Sequence, residues 1–110
     1  MARKFIIQDN TLKLGNVDMH YELKNKEGDI KVIGGGYWYL DKDKTTIYLY
    51  GKSIDFGKVT IEDLKEVKEN GIYSPFLESL EWKWLDSNKI DDLFFSNKID
   101  DVLENGITIN

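Results

Sequence analysis

Cysteine is absent from the 110 residues, histidine and proline occur once each, and no stretch is apolar for long. Each shortage closes off a class of chemistry. Without cysteine there are no disulfides and no thiolate nucleophile, a composition that fits a reducing compartment. With His20 as the sole histidine, a His-rich zinc site cannot be assembled within one chain. No run approaches the ~20 apolar residues of a membrane-spanning helix. Arg3 and Lys4 precede an apolar run, as in a signal peptide, but Phe5-Ile6-Ile7 stops after three residues. A signal-peptide core needs roughly 7–15. These absences predict a cytoplasmic protein with no membrane association.

Three Trp, six Tyr and five Phe set the chain apart from disordered sequences. Its length suits a single domain over residues 1–110, able to bury one core without a metal or cofactor. The net charge of −5 is uneven: residues 58–110 hold twelve Asp/Glu against six Lys, whereas residues 1–57 are nearly balanced. An acidic half argues against nucleic acid and anionic membrane as partners, since both require a basic footprint. It is compatible with a basic protein partner, with mimicry of DNA charge, or simply with a solvated acidic surface.

The most ordered pattern runs from Gly34 to Gly57. Two β-rich runs, YWYL and TTIYLY, flank Asp41-Lys42-Asp43-Lys44, and an even-numbered loop centred on Lys42-Asp43 pairs them antiparallel. Side chains alternate along a strand. Trp38 and Leu40 then share a face with Ile47 and Leu49, the predicted core side. Tyr37 and Tyr39 share the opposite face with Tyr48 and Tyr50. Such a tyrosine face is either a contact surface or a second core layer.

Elsewhere, Asp9-Asn10 joins KFIIQ to TLKLG as a first hairpin. Asn16 or Asp18 opens a short helix to Leu23, although alternation of Val17, Met19, Tyr21 and Leu23 also allows a strand. A loop over residues 25–29 leads to IKVI, ending at the triple glycine. Thr60 with Asp63 three residues later predicts a capped helix over about 60–70, stopped at Asn70-Gly71 by a left-handed residue. After Pro75, FLESL suits a helix and LEWKW a strand. SNKIDD occurs at 87–92 and again at 96–101, suggesting short acidic helices, before a closing strand at Ile107-Thr108-Ile109. The predicted class is α+β: a small antiparallel sheet around hairpin 37–50, packed with helix 60–70 and short acidic C-terminal helices.

Most chemical motifs fail on inspection. Gly34-Gly35-Gly36 invites an anion-binding reading, but it leads into a strand and lacks both the dinucleotide and the P-loop spacing. The alternative is a bulge, or a place where an aromatic ring packs on bare backbone. Asp55-Phe56-Gly57 shares three letters with a kinase metal motif and nothing else. A calcium loop starting at Asp41 would need glycine and glutamate where Thr46 and Lys52 stand. Ser53 reads as a turn residue. His20 is the only histidine base available. Asp18 and Glu22 lie on the wrong sides of a helix to orient it, so Asp55 would have to reach it through the fold.

Two function classes remain. One is a binding protein, an inhibitor or immunity-type partner of another protein or a small-ligand binder, using Tyr37, Tyr39, Tyr48, Tyr50 and the glycine edge. The other is a small enzyme centred on His20 and Asp55, with Ser53 and Gly34, Gly35 and Gly36 holding an anionic substrate. Single-strand nucleic-acid binding through stacked tyrosines is disfavoured by the charge. In composition the chain is similar to many small proteins of low-GC bacteria and their phages, a likeness that assigns no residue a role.

Overall fold

The computed structural model describes residues 2–24, 31–85 and 103–110. Within them a mixed six-stranded sheet has the order β2-β1-β3-β4-β5-β6. The strands are β1 Ala2–Gln8, β2 Thr11–Val17, β3 Val32–Leu40, β4 Thr46–Tyr50, β5 Glu81–Leu85 and β6 Ile107–Ile109. A 3-10 turn spans His20–Leu23, and two helices, α1 Ile61–Asn70 and α2 Pro75–Glu78, join β4 to β5. No described helix is long and apolar enough to cross a membrane.

The first hairpin turns at Asp9 and Asn10, whose φ values of 52° and 50° give the left-handed pair of a two-residue turn. The central hairpin is antiparallel and sorts its faces as predicted, but in a register shifted by two residues, with Tyr37 opposite Tyr50, Trp38 opposite Leu49, Tyr39 opposite Tyr48 and Leu40 opposite Ile47. Its loop is centred one residue later than expected. The Asp41 carboxylate accepts from Thr45 N–H (2.8 Å), Thr45 Oγ1 (2.8 Å) and Thr46 N–H (3.2 Å), and Lys44 takes the left-handed conformation. The loop remains even-numbered, so the sorting of faces is unchanged.

The sheet is mixed rather than antiparallel. After β4 the chain crosses one face through α1 and α2 and returns as β5, parallel to β4 from Thr46–Glu81 to Tyr50–Leu85. LEWKW is thus a strand, and a short helix at Pro75 precedes it. The triple glycine does not end a strand; it lies inside β3, which runs unbroken from Val32 to Leu40. Helix α1 begins as predicted, with Thr60 Oγ1 accepting from Asp63 N–H (3.1 Å) and the Asp63 carboxylate accepting from Thr60 N–H (2.9 Å). Its end differs. Gly71 has φ −93°, so no left-handed stop is used. Glycine is needed there because a Cβ would strike the Asn10 carbonyl and the Val67 backbone. The predicted acidic helices and both SNKIDD copies lie outside the described residues, as does the predicted loop over 25–29.

The main core lies under the helices: Phe5, Ile7, Leu12, Ile47, Leu49, Trp82, Trp84 and Ile109 from the sheet meet Leu64, Val67 and Leu77. On the opposite face Tyr48, Tyr50 and Leu85 are buried, with Tyr37, Tyr39 and Leu103 packed on them. Tyr50 is 1% exposed and Tyr48 8%. Tyr48 and Tyr50 therefore belong to a second core layer, whereas Tyr37 and Tyr39 are half-buried on the same face.

Candidate functional site around His20

The 3-10 turn carries His20 onto the tyrosine face. Met19 caps it, in place of Asn16 or Asp18, and the Glu22 carboxylate accepts from Met19 N–H at 2.7 Å. This engages Glu22 with backbone, away from the imidazole. His20 itself is 4% exposed. Its Nε2 lies 2.7 Å from the carbonyl oxygen of Gly36. A carbonyl only accepts, so Nε2 carries the proton and the neutral ring presents its lone pair on Nδ1. The ring is oriented by main chain, where a carboxylate would have been looked for.

The glycines explain how a ring can approach so closely. A Cβ on Gly35 would stand 3.2 Å from His20 Cδ2. On the far side, a Cβ on Gly36 would meet the Tyr50 carbonyl and come within 2.9 Å of the Phe5 ring, and one on Gly34 would come within 2.9 Å of Val59. Rings pack on bare backbone here, with His20 as one of them.

A tight loop holds the same strand segment from the side. Ser53 N–H donates to the Gly57 carbonyl (3.2 Å), Gly57 N–H to the Ser53 carbonyl (2.9 Å) and Phe56 N–H to Ser53 Oγ (3.1 Å). The Gly57 carbonyl also accepts from Gly35 N–H at 3.0 Å. Ser53 is a buried turn residue, and the loop fixes the floor under the imidazole. Asp55, at its exposed tip, is close enough to influence His20 electrostatically.

Lys4 completes the site and was not among the residues the sequence singled out. It pairs with Tyr37 across β1 and β3, and its Nζ donates to the Asp18 carbonyl just before the His20 turn. Only the non-local pairing of β1 with β3 brings it there; its sequence neighbours give no sign of it. Of the other predicted residues, Tyr37 touches His20 edge-on at 5.6 Å between ring centres, whereas Tyr39 pairs with Tyr48 at 6.4 Å. Gly34–Gly36, Tyr37, Asp55 and His20 thus belong to one neighbourhood, with Tyr50 behind it and Tyr39 and Tyr48 further along the face. Among the described residues no cluster of three or more His, Asp or Glu is placed to hold a metal ion.

Burial disfavours the charged imidazole and holds the His20 pKa below its ordinary 6.5. The Gly36 hydrogen bond pulls upward, the Lys4 charge adds to the lowering and Asp55 opposes it. On lowering the pH the unfolded chain takes up this proton first. The stability His20 contributes is therefore complete above about pH 6.5 and is lost as the pH falls through the lower folded value. Urea midpoints at pH 7.5 and pH 5 should drop more for the wild type than for His20→Gln. Equal drops in the two proteins would assign the acid sensitivity to other groups.

Residues 16–75 match the family model described as Ocnus: Janus/Ocnus family, a span that takes in His20, the triple glycine, the 51–57 loop and α1. No curated protein and no solved structure matches the chain. Since the match covers more than half of its residues, the chain belongs to the Janus/Ocnus family.

Proposed function

We propose that the His20 site is a small enzyme centre that holds an anionic group and acts on it through Nδ1. The observation that carries this reading is the bond from Nε2 to the Gly36 carbonyl, which selects one tautomer and leaves the Nδ1 lone pair for chemistry. Burial keeps the ring neutral near pH 7, the state a general base or nucleophile requires. Lys4, on the same sheet face, supplies the positive charge that favours an anion. Asp55 at the loop tip supports the imidazolium once a proton is taken.

The test is turnover of p-nitrophenyl esters of acetic, phosphoric and sulfuric acids. His20→Gln should slow release by about a hundredfold on the ester that is used, the lower end of what a positioned base contributes. Lys4→Gln should weaken handling of the anionic esters and spare the neutral acetate. Turnover independent of His20, or none on any ester, would remove the enzymatic reading.

The binding-protein reading keeps one observation in its favour. Ile54 is 91% exposed, Tyr21 58% and Met19 40%, and these apolar side chains lie on the two segments that frame His20. A protein partner seated on them would bury a patch that is otherwise costly to hydrate. Such binding should survive His20→Gln, which separates it from catalysis.

A further inference from the structure

We propose that Tyr37 is a positioning residue for His20, setting the plane of the imidazole so that Nε2 meets the Gly36 carbonyl and Nδ1 stays turned away from it. This rests on the catalytic reading above, since it gives Nδ1 its purpose.

One hydrogen bond fixes a point on a ring and leaves its plane free to rock about that bond. Two further contacts define the plane. Gly35 lies against one part of the imidazole, its missing Cβ only 3.2 Å from Cδ2. The Tyr37 ring meets it edge-on, with ring centres 5.6 Å apart and planes at 73°. Edge-to-face contacts of this kind are directional as well as apolar.

Tyr37 is itself held. It stacks on Tyr50 with centres 5.8 Å apart and planes 27° apart, and Tyr50 is almost fully buried. It also sits over Gly51, where a Cβ would come within 2.8 Å of Tyr37 Cδ2. Gly51 has φ 73°, the left-handed region in which glycine is the least strained residue. A column of rings thus runs from Tyr50 through Tyr37 to His20. Bare backbone lies against two of its members, Gly51 against the central Tyr37 and Gly35 against His20. The column ties the orientation of His20 to the end of β4.

Because His20 is the sole histidine, nitrogen-15 NMR reads its ring without ambiguity. In the wild type at pH 7.5 the Nε2–H tautomer should exceed the other by roughly tenfold, the equivalent of one net hydrogen bond. Tyr37→Phe should retain that ratio and Tyr37→Leu should bring it towards parity. A purely structural tyrosine would lower the melting temperature and leave the ratio unchanged, and that result would overturn the proposal. Should Tyr37→Leu fail to fold, Gly51→Ala decides. It keeps the tyrosine and displaces its ring, so a reduced ratio supports the column and an unchanged one refutes it. The readout does not depend on turnover. A tautomer ratio that responds as expected in a protein inert towards every ester would leave the positioning intact and count against catalysis alone.

Discussion

Trp82→Ala is expected to lower the free energy of unfolding by about 4 kcal/mol, within the range for deleting a buried large aromatic side chain. Trp82 has no exposed surface and lies on β5, one strand in from the sheet edge, opposite Ile47 on β4 and Ile109 on β6. Its indole N–H donates to the Leu77 carbonyl at 2.9 Å, tying β5 to the end of α2. Tyr73 packs edge-on at 4.9 Å between ring centres, and Lys68 Nζ stands 5.6 Å from the ring centre. Alanine would leave a cavity bordered by elements that have little freedom to close it, and would remove the indole hydrogen bond from the Leu77 carbonyl, which keeps the Leu80 N–H as a donor at 3.2 Å. Domains of this kind have a total stability of about 5–15 kcal/mol, so much of it would go. The melting temperature should fall by about 20 °C, at about 4–8 °C for each kcal/mol. Trp82→Phe, which keeps the ring and loses only the donor and some volume, should cost less than half as much. Equal losses for the two variants would mean that the hydrogen bond to Leu77, and not the packing, dominates.

Gly36→Ala should cost about 3 kcal/mol, the upper part of the range for overpacking a core. The new methyl group would be directed at the Tyr50 carbonyl and the Phe5 ring. A ring can turn, but the carbonyl belongs to the neighbouring strand and moves only with β4. The substitution should therefore separate β3 from β4 beside the site and shift the Gly36 carbonyl relative to His20. Gly57→Ala is the control. Gly57 has φ 83° and nothing within 4 Å of an added Cβ, so it carries only the conformational cost of about 1–2 kcal/mol. Thermal melts of the pair separate steric crowding from backbone strain. If Gly57→Ala proved the more damaging, the close packing of β3 on β4 would not be what requires glycine at 36.

The parts of this fold that were legible in the sequence are those whose cause is local. Asp9-Asn10 specifies a turn through its own backbone preferences. Alternation from Tyr37 to Tyr50 specifies two faces, and Thr60 with Asp63 specifies a helix start. What the sequence left open depended on partners far along the chain. Whether Tyr48 and Tyr50 face solvent is decided by what covers the second face of the sheet, and their own pattern is the same either way. The parallel return of β5 depends on how α1 and α2 cross the sheet, and nothing in LEWKW encodes a direction. The site divides in the same way. His20 and the glycines stood out as scarce or clustered residues, yet their meeting across 16 positions is a tertiary fact. Lys4 carried no signal, because a lysine near the start of a strand looks the same whether or not an imidazole lies beside it.

The group that orients His20 belongs to the peptide chain, and this changes how the site can decay. In a triad built on a carboxylate, one codon change deletes the orienting group and leaves the histidine in place. Here no substitution can remove an amide oxygen, and mutation reaches it only indirectly, by enlarging one of the three glycines or shifting the neighbouring strand. Genetic drift would therefore act on the site through backbone spacing. A comparison of variant sequences that looked only for a lost acidic partner would miss both its presence and its failure.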